Sequence, residues 1–147
     1  MWGPDITGTG GNNSSTSFLR NNTNAEVYNK ATFNATQTLR GIPNGVYSLS
    51  VQGFYRNGTN TAAAAAYNSG TDGKLALLYA GSKSIPLKSV YAEAEKSARG
   101  GFAYSTNAGY VPNGQAEAAL CFDEGAYVNT LTNIVVTDGT LTIGIRK

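Results

Sequence analysis

The stretch QTLRGIPNGVYSLSVQGFYR, Gln37 to Arg56, reads as two β-strands and the turn that joins them. Leu39 closes the first strand, and Gly41-Ile42-Pro43-Asn44-Gly45 supplies turn chemistry: Gly and Asn reach turn dihedrals at little cost, and Pro presets one of them. From Val46 to Tyr55 the pattern has period two, placing Tyr47, Leu49, Val51, Gly53 and Tyr55 on one face. Ser48, Ser50, Gln52, Phe54 and Arg56 fall on the other. Such alternation marks a half-buried antiparallel strand with one wet face. That wet face ends in an aromatic ring and a guanidinium, a pair suited to a sugar or another polar ring, so Phe54 and Arg56 are candidate ligand-binding residues.

Further strands are expected on both sides of this run. Ala25 to Tyr28 and Ala31 to Leu39 precede it, the latter with Phe33, Ala35, Gln37 and Leu39 on one face. Lys74 to Tyr79 reads as a buried strand and Ile85 to Leu87 as a short one. Near the end, Asp138-Gly139 predicts a two-residue hairpin turn pairing Thr137 with Thr140, Val136 with Leu141 and Ile134 with Ile143, which brings the large aliphatics to one face. Two helices are expected. Ser89 to Ala98 carries Glu95 and Arg99 at helical spacing before Gly100-Gly101, and Pro112 to Gly125 has Asn113 as a cap and a glycine stop, with Ala118, Leu120, Cys121 and Phe122 facing the body. The alanines from Ala62 to Ala66 favour helix, yet so short a run needs tertiary support, so helix, loop and short strand all stay open there. Residues 3–24 are mostly Gly, Thr, Asn and Ser and read as a long loop, with Trp2 packing against the body.

The chain has 147 residues, enough for one domain with one two-layer core. Charged residues make up only 14% and glycine reaches 18 residues, the balance of a turn-rich all-β protein. A net charge of +2 with scattered Lys and Arg lacks the basic stripe of a nucleic-acid binder. A single cysteine rules out an internal disulfide, and Cys121 in its Ala-Ala-Leu-Cys-Phe context reads as a small buried apolar residue. Histidine is absent, which removes the commonest general base and the usual nucleophile pairs. The carboxylates fall in turns or on helical surfaces where solvation accounts for them, so no enzyme activity is expected. No apolar run approaches the roughly 20 residues of a membrane helix, and Met1-Trp2-Gly3-Pro4 shows no signal-peptide pattern. Tyrosine dominates the aromatics, with nine residues against five phenylalanines, and a Tyr- and Asn-rich surface suits sugar rings or a protein contact. Trp2, Tyr104 and Tyr110 join Phe54 and Arg56 as candidates for one ligand-binding rim.

The turn Ile42-Pro43-Asn44-Gly45-Val46-Tyr47 followed by Ser48 to Arg56, with Ala25-Glu26-Val27-Tyr28-Asn29, Gly109 to Asn113, Phe122, Gly125, Tyr127, Asn129 and Asp138 to Ile145, resembles the galactose-binding-like jelly-roll domains of secreted and surface proteins of gut bacteria. The match runs in order over most of the chain. It implies a single domain over residues 1–147, an all-β, two-sheet antiparallel jelly-roll sandwich with one or two short helices. It also implies non-catalytic carbohydrate binding, as an accessory or surface-display module for a glycan or polysaccharide. The alternative is a structural or adhesive domain that meets neighbouring domains or subunits. Location is then secreted or cell-surface, with the export signal outside this chain. Glu26 resembles a ligand of the structural calcium found in related carbohydrate-binding modules. Asn129 resembles the family's Tyr-x-Asn asparagine and joins the candidate ligand residues. Family members run on past the equivalent of Ile145 into one more strand, so the sandwich is expected to lack its terminal strand, with the chain either an excised part of a longer polypeptide or completed at a sheet edge by strand addition from a neighbouring subunit.

Overall fold

The computed structural model describes residues 5–9, 18–20, 24–27, 32–73, 75–93, 105–106 and 109–147, which form an all-β sandwich with two short helices. The strands are β1 (Asp5–Thr9), β2 (Phe18–Arg20), β3 (Ala25–Val27), β4 (Thr32–Arg40), β5 (Gly45–Gln52), β6 (Phe54–Tyr55), β7 (Leu77–Ala80), β8 (Lys83–Pro86), β9 (Lys88–Ser89), β10 (Ser105–Thr106), β11 (Gly109–Tyr110), β12 (Val128–Val136) and β13 (Thr140–Arg146). One layer is a five-stranded antiparallel sheet in the order β1-β4-β13-β7-β8. The facing layer is the antiparallel pair β12-β5. Leu131, Ile134 and Val136 of β12 pack on Leu78, Ala80 and Leu141 of the larger sheet, with Tyr47, Leu49 and Val51 of β5 beside them. The expected alternation of β5 holds, since its odd-numbered residues are half-buried and Val46, Ser48, Ser50 and Gln52 are exposed.

Residues 3–24, read as a long loop, supply β1, which pairs with β4, and β2, which pairs with β3. Three further expectations change with the pairing. The terminal hairpin does not form: β12 pairs with β5 and β13 with β4 and β7, so residues 137–139 cross between layers. Strands facing each other across a core present their aliphatics to the same interior, and that satisfies the pattern a hairpin would show. Asp138 still makes its turn, accepting from Thr140 N at 2.9 Å, but Gly139 N donates to Asn44 Oδ1 at 3.0 Å and Gly139 O accepts from Ile42 N. The crossing therefore stacks on the Gly41–Asn44 crossing that leads from β4 to β5. The second change is at Gly53, where the strand breaks. Gly53 N donates to Tyr127 O, and Phe54–Tyr55 then pairs in parallel with Lys88–Ser89. Third, the unpaired edge expected for the sandwich does not fall on β13, which is an interior strand bonded on both sides. The side chains of Ile143 and Ile145 are half-buried.

Helix α1 (Asn60–Asn68) resolves the alanine run as helix. Thr59 caps it, its hydroxyl accepting from Ala62 N at 3.3 Å, and Ala63 and Ala64 are buried against Val90, Tyr91 and Val111, which supplies the tertiary support a short run needs. Helix α2 (Gln115–Asp123) starts at Gly114 without a side-chain cap; Glu117 instead accepts from Asn113 N at 2.6 Å. It ends at Gly125, φ 80°, as expected. Cys121 is buried, but Leu120 is 43% exposed, so it does not face the body. Only a 3-10 turn, Val90–Glu93, is described of the first expected helix; residues 94–104 lie outside the described residues. The strand expected from Lys74 begins at Leu77, and the short one at Ile85 to Leu87 begins at Lys83.

Candidate functional site

Arg56 leaves β6 just before α1, Asn60 opens α1, and Asn113 sits between β11 and α2. The fold brings the three together at the surface. Arg56 Nη1 donates to Asn60 Oδ1 and, at 2.6 Å, to Asn113 Oδ1; Asn60 Nδ2 donates to Asn113 Oδ1 at 3.1 Å. The cluster is braced from below, because Tyr91 Oη donates to Asn60 O at 2.7 Å and Glu117 holds Asn113 N. Among the described residues Arg56 makes its hydrogen bonds through Nη1, which leaves Nε and Nη2 as further donors beside Asn113 Nδ2. A braced group of exposed donors suits the hydroxyl or carboxylate oxygens of a polar ligand. Tyr110 lies three positions before Asn113, on β11, which pairs with β10.

The remaining candidates divide differently. Phe54 does not lie on a wet face. Its ring is 4.8 Å from that of Tyr127 and 5.9 Å from that of Phe122, and it joins the core under α1 to the one under α2. Gly53 is the cause, since it ends the alternation and turns the next residue inward. Asn129 is 4% exposed, and its side chain is saturated. Oδ1 accepts from Lys88 N at 2.8 Å, while Nδ2 donates to Gly53 O and Tyr127 O at 2.8 Å and to Val51 O at 3.3 Å. It binds the ends of β5 and β9 together and has no surface for a ligand. Trp2 and Tyr104 lie outside the described residues, as does the side chain of Tyr110. Glu26 is half-buried on β3, opposite Leu19. Among the described residues no three His, Cys, Asp or Glu side chains lie together.

Asn60 and Asn113 were not foreseen as partners of Arg56. The four-residue spacing of Arg56 and Asn60 at the start of a helix was the available signal. An open trough of about 410 Å³ lies elsewhere, between the outer face of β5 and β12 and the end of α2, and is lined by Ser50, Gln52, Phe122, Asp123 and Val128. It contains none of the residues expected to bind ligand. Among the described residues no helix is long and apolar enough to cross a membrane. No protein-family model, curated protein or solved structure matches the chain.

Beside this region, burial pushes the Tyr55 phenol up to about 12, helped by Asp72, which repels the phenolate and accepts its hydrogen bond, and by Tyr67. The folded state thus favours neutral Tyr55. Its contribution is complete below the unfolded value near pH 10 and is lost between about pH 10 and 12. Asp72→Asn is expected to lower the Tyr55 midpoint in an ultraviolet titration, with Tyr55→Phe identifying the signal; an unmoved midpoint would leave burial and Tyr67 as the causes.

Proposed function

We propose that this is a non-catalytic carbohydrate-binding module of jelly-roll type, working as an accessory or display domain of a secreted or surface protein. Its ligand contacts centre on Arg56, Asn60 and Asn113. What carries the reading is the exposed, braced donor cluster: sugar recognition needs fixed planar hydrogen-bonding groups at the surface, and a pre-ordered guanidinium loses little entropy on binding. Tyr110, three positions before Asn113, and Tyr104, which precedes β10 in sequence, are the aromatic residues proposed to supply a stacking face.

Titration of neutral and uronic-acid-containing glycans into labelled protein, followed by NMR, tests this. Arg56→Ala is expected to weaken binding by about 1.5–3 kcal/mol, the range for a hydrogen bond to a charged group, and to leave the melting temperature nearly unchanged because the guanidinium is exposed. Binding that survives Arg56→Ala intact places the ligand elsewhere. No binding of any glycan at millimolar concentration removes the carbohydrate reading and leaves the structural or adhesive one.

A further inference from the structure

We infer that the outer edge of β5 is a strand-addition surface whose occupant is β5 of a second copy of this chain, giving a continuous β12-β5-β5-β12 layer. The backbone geometry shows which groups are free. Gly53 N donates to Tyr127 O, and Asn129 Nδ2 reaches Val51 O, so the odd-numbered residues of β5 turn their amide and carbonyl groups toward β12. Those of Val46, Ser48, Ser50 and Gln52 consequently point away from it. Among the described residues no strand pairs with that side and the main-chain groups of these four make no hydrogen bond there, while the Gln52 side chain donates to Phe122 O and Ala126 O.

Edges are ordinarily blunted by charge, proline or a bulge. Gly45 to Gln52 has none of the three, and the bulge of this pair lies on β12, where Asn133 takes φ 56°. The edge also overhangs apolar space. A gap of about 80 Å³ between the layers is lined by Leu49 and Val51 of β5 and by Ala35, Leu78, Ile143 and Ile145 opposite, because two strands cover only part of a five-stranded sheet.

A two-fold axis perpendicular to the layer pairs residues on the same face, which requires the axis to run midway between the two copies of one residue. Centred on Leu49, antiparallel self-pairing sets Ser48 against Ser50 and Val46 against Gln52, so the outward groups bond one another and no charges meet. Tyr47 then faces Val51 on the core side. Ser48–Ser50 pairs would extend the hydroxyl contact already made between Ser50 and Thr130, 2.9 Å apart, on the outer face. Self-complementarity of this kind selects a second copy over an unrelated strand.

Sedimentation and amide hydrogen exchange across a concentration series test the inference together. The expected result is a monomer–dimer equilibrium in which the amides of Val46, Ser48, Ser50 and Gln52 gain protection as the dimer fills. Ser48→Pro removes an outward amide that the monomer leaves unbonded, so it is expected to weaken dimerisation by roughly tenfold or more while the fold persists. Ser50→Lys, which sets two like charges near the axis, should act in the same direction without touching the backbone. A monomer at every concentration overturns the inference. So does a dimer in which these amides still exchange freely, and so does protection that is independent of concentration, because the edge would then be covered within one chain.

Discussion

Asn129→Asp is expected to destabilise the domain by about 3–5 kcal/mol at pH 7, the scale for leaving a buried charge uncompensated. The wild-type carboxamide is matched to its site in both directions: its oxygen accepts from Lys88 N, and its nitrogen donates to the carbonyls of Val51, Gly53 and Tyr127. Aspartate keeps the acceptor but sets a second oxygen against three carbonyl oxygens, in a site 4% exposed. Burial and those carbonyls raise the pKa of the new carboxyl in the folded state above its unfolded value of about 3.9. Lost stability should therefore return as the pH falls toward 4, where the protonated acid can again donate, and be fully lost above the folded pKa. Urea unfolding at pH 4 and pH 7 reads both effects. A variant as stable as wild type at pH 7 would mean that Asn129 is not the tie between β5, β9 and the Tyr127 turn.

That turn explains why a buried asparagine is needed. Tyr127 is a non-glycine residue at φ 58°, a conformation that costs about 1–2 kcal/mol for an L-residue. It is held by Glu93, which accepts from Tyr127 N at 2.7 Å and pairs with Lys88, and by its own hydroxyl, which donates to Val90 O at 2.8 Å. Helix α2, β9 and the start of β12 are locked at one point by Tyr127, Asn129 and Glu93.

What the sequence discloses follows from how local each cause is. The alternation of β5 is legible because each side chain is sorted by one nearby surface, the core. The break at Gly53 is not, since it depends on pairing with Lys88–Ser89 more than thirty residues away. Leu131 and Ile134 both face inward although three positions apart, which period two forbids; the bulge at Thr132 and Asn133 reconciles them, and the mismatch was a usable sign. Asn113 illustrates a competition: its side chain fits a helix cap, yet Arg56 and Asn60 take its oxygen. The exposure of Arg56 was readable from its place after a strand and Asn60 follows it by four residues, whereas Asn113 joins them through a long-range contact that no local pattern records.

Gly144→Ala is expected to cost about 3 kcal/mol, at the upper end of the range for overpacking a tight interior. Gly144 lies on β13 between Thr36 of β4 and Tyr79 of β7, the middle of the five-stranded sheet. An added methyl would overlap the carbonyl oxygen of Ala35 and stand 2.7 Å from both Cζ and Oη of Tyr79. The Tyr79 ring is pinned over the glycine: its hydroxyl donates to Asn34 Oδ1 at 2.9 Å, and the Arg146 guanidinium sits 5.1 Å from its centre. Relief therefore requires either displacement of that ring, with loss of both contacts, or separation of β13 from β4. Because the Ala35 contact is with backbone, removing the ring should help only in part. Thermal unfolding of Gly144→Ala, Tyr79→Ala and the double variant measures this: the double variant should be more stable than the sum of the single losses implies, yet well below Tyr79→Ala alone. A Gly144→Ala protein with wild-type stability would show that the close approach of β4, β13 and Tyr79 is not a constraint on the sheet.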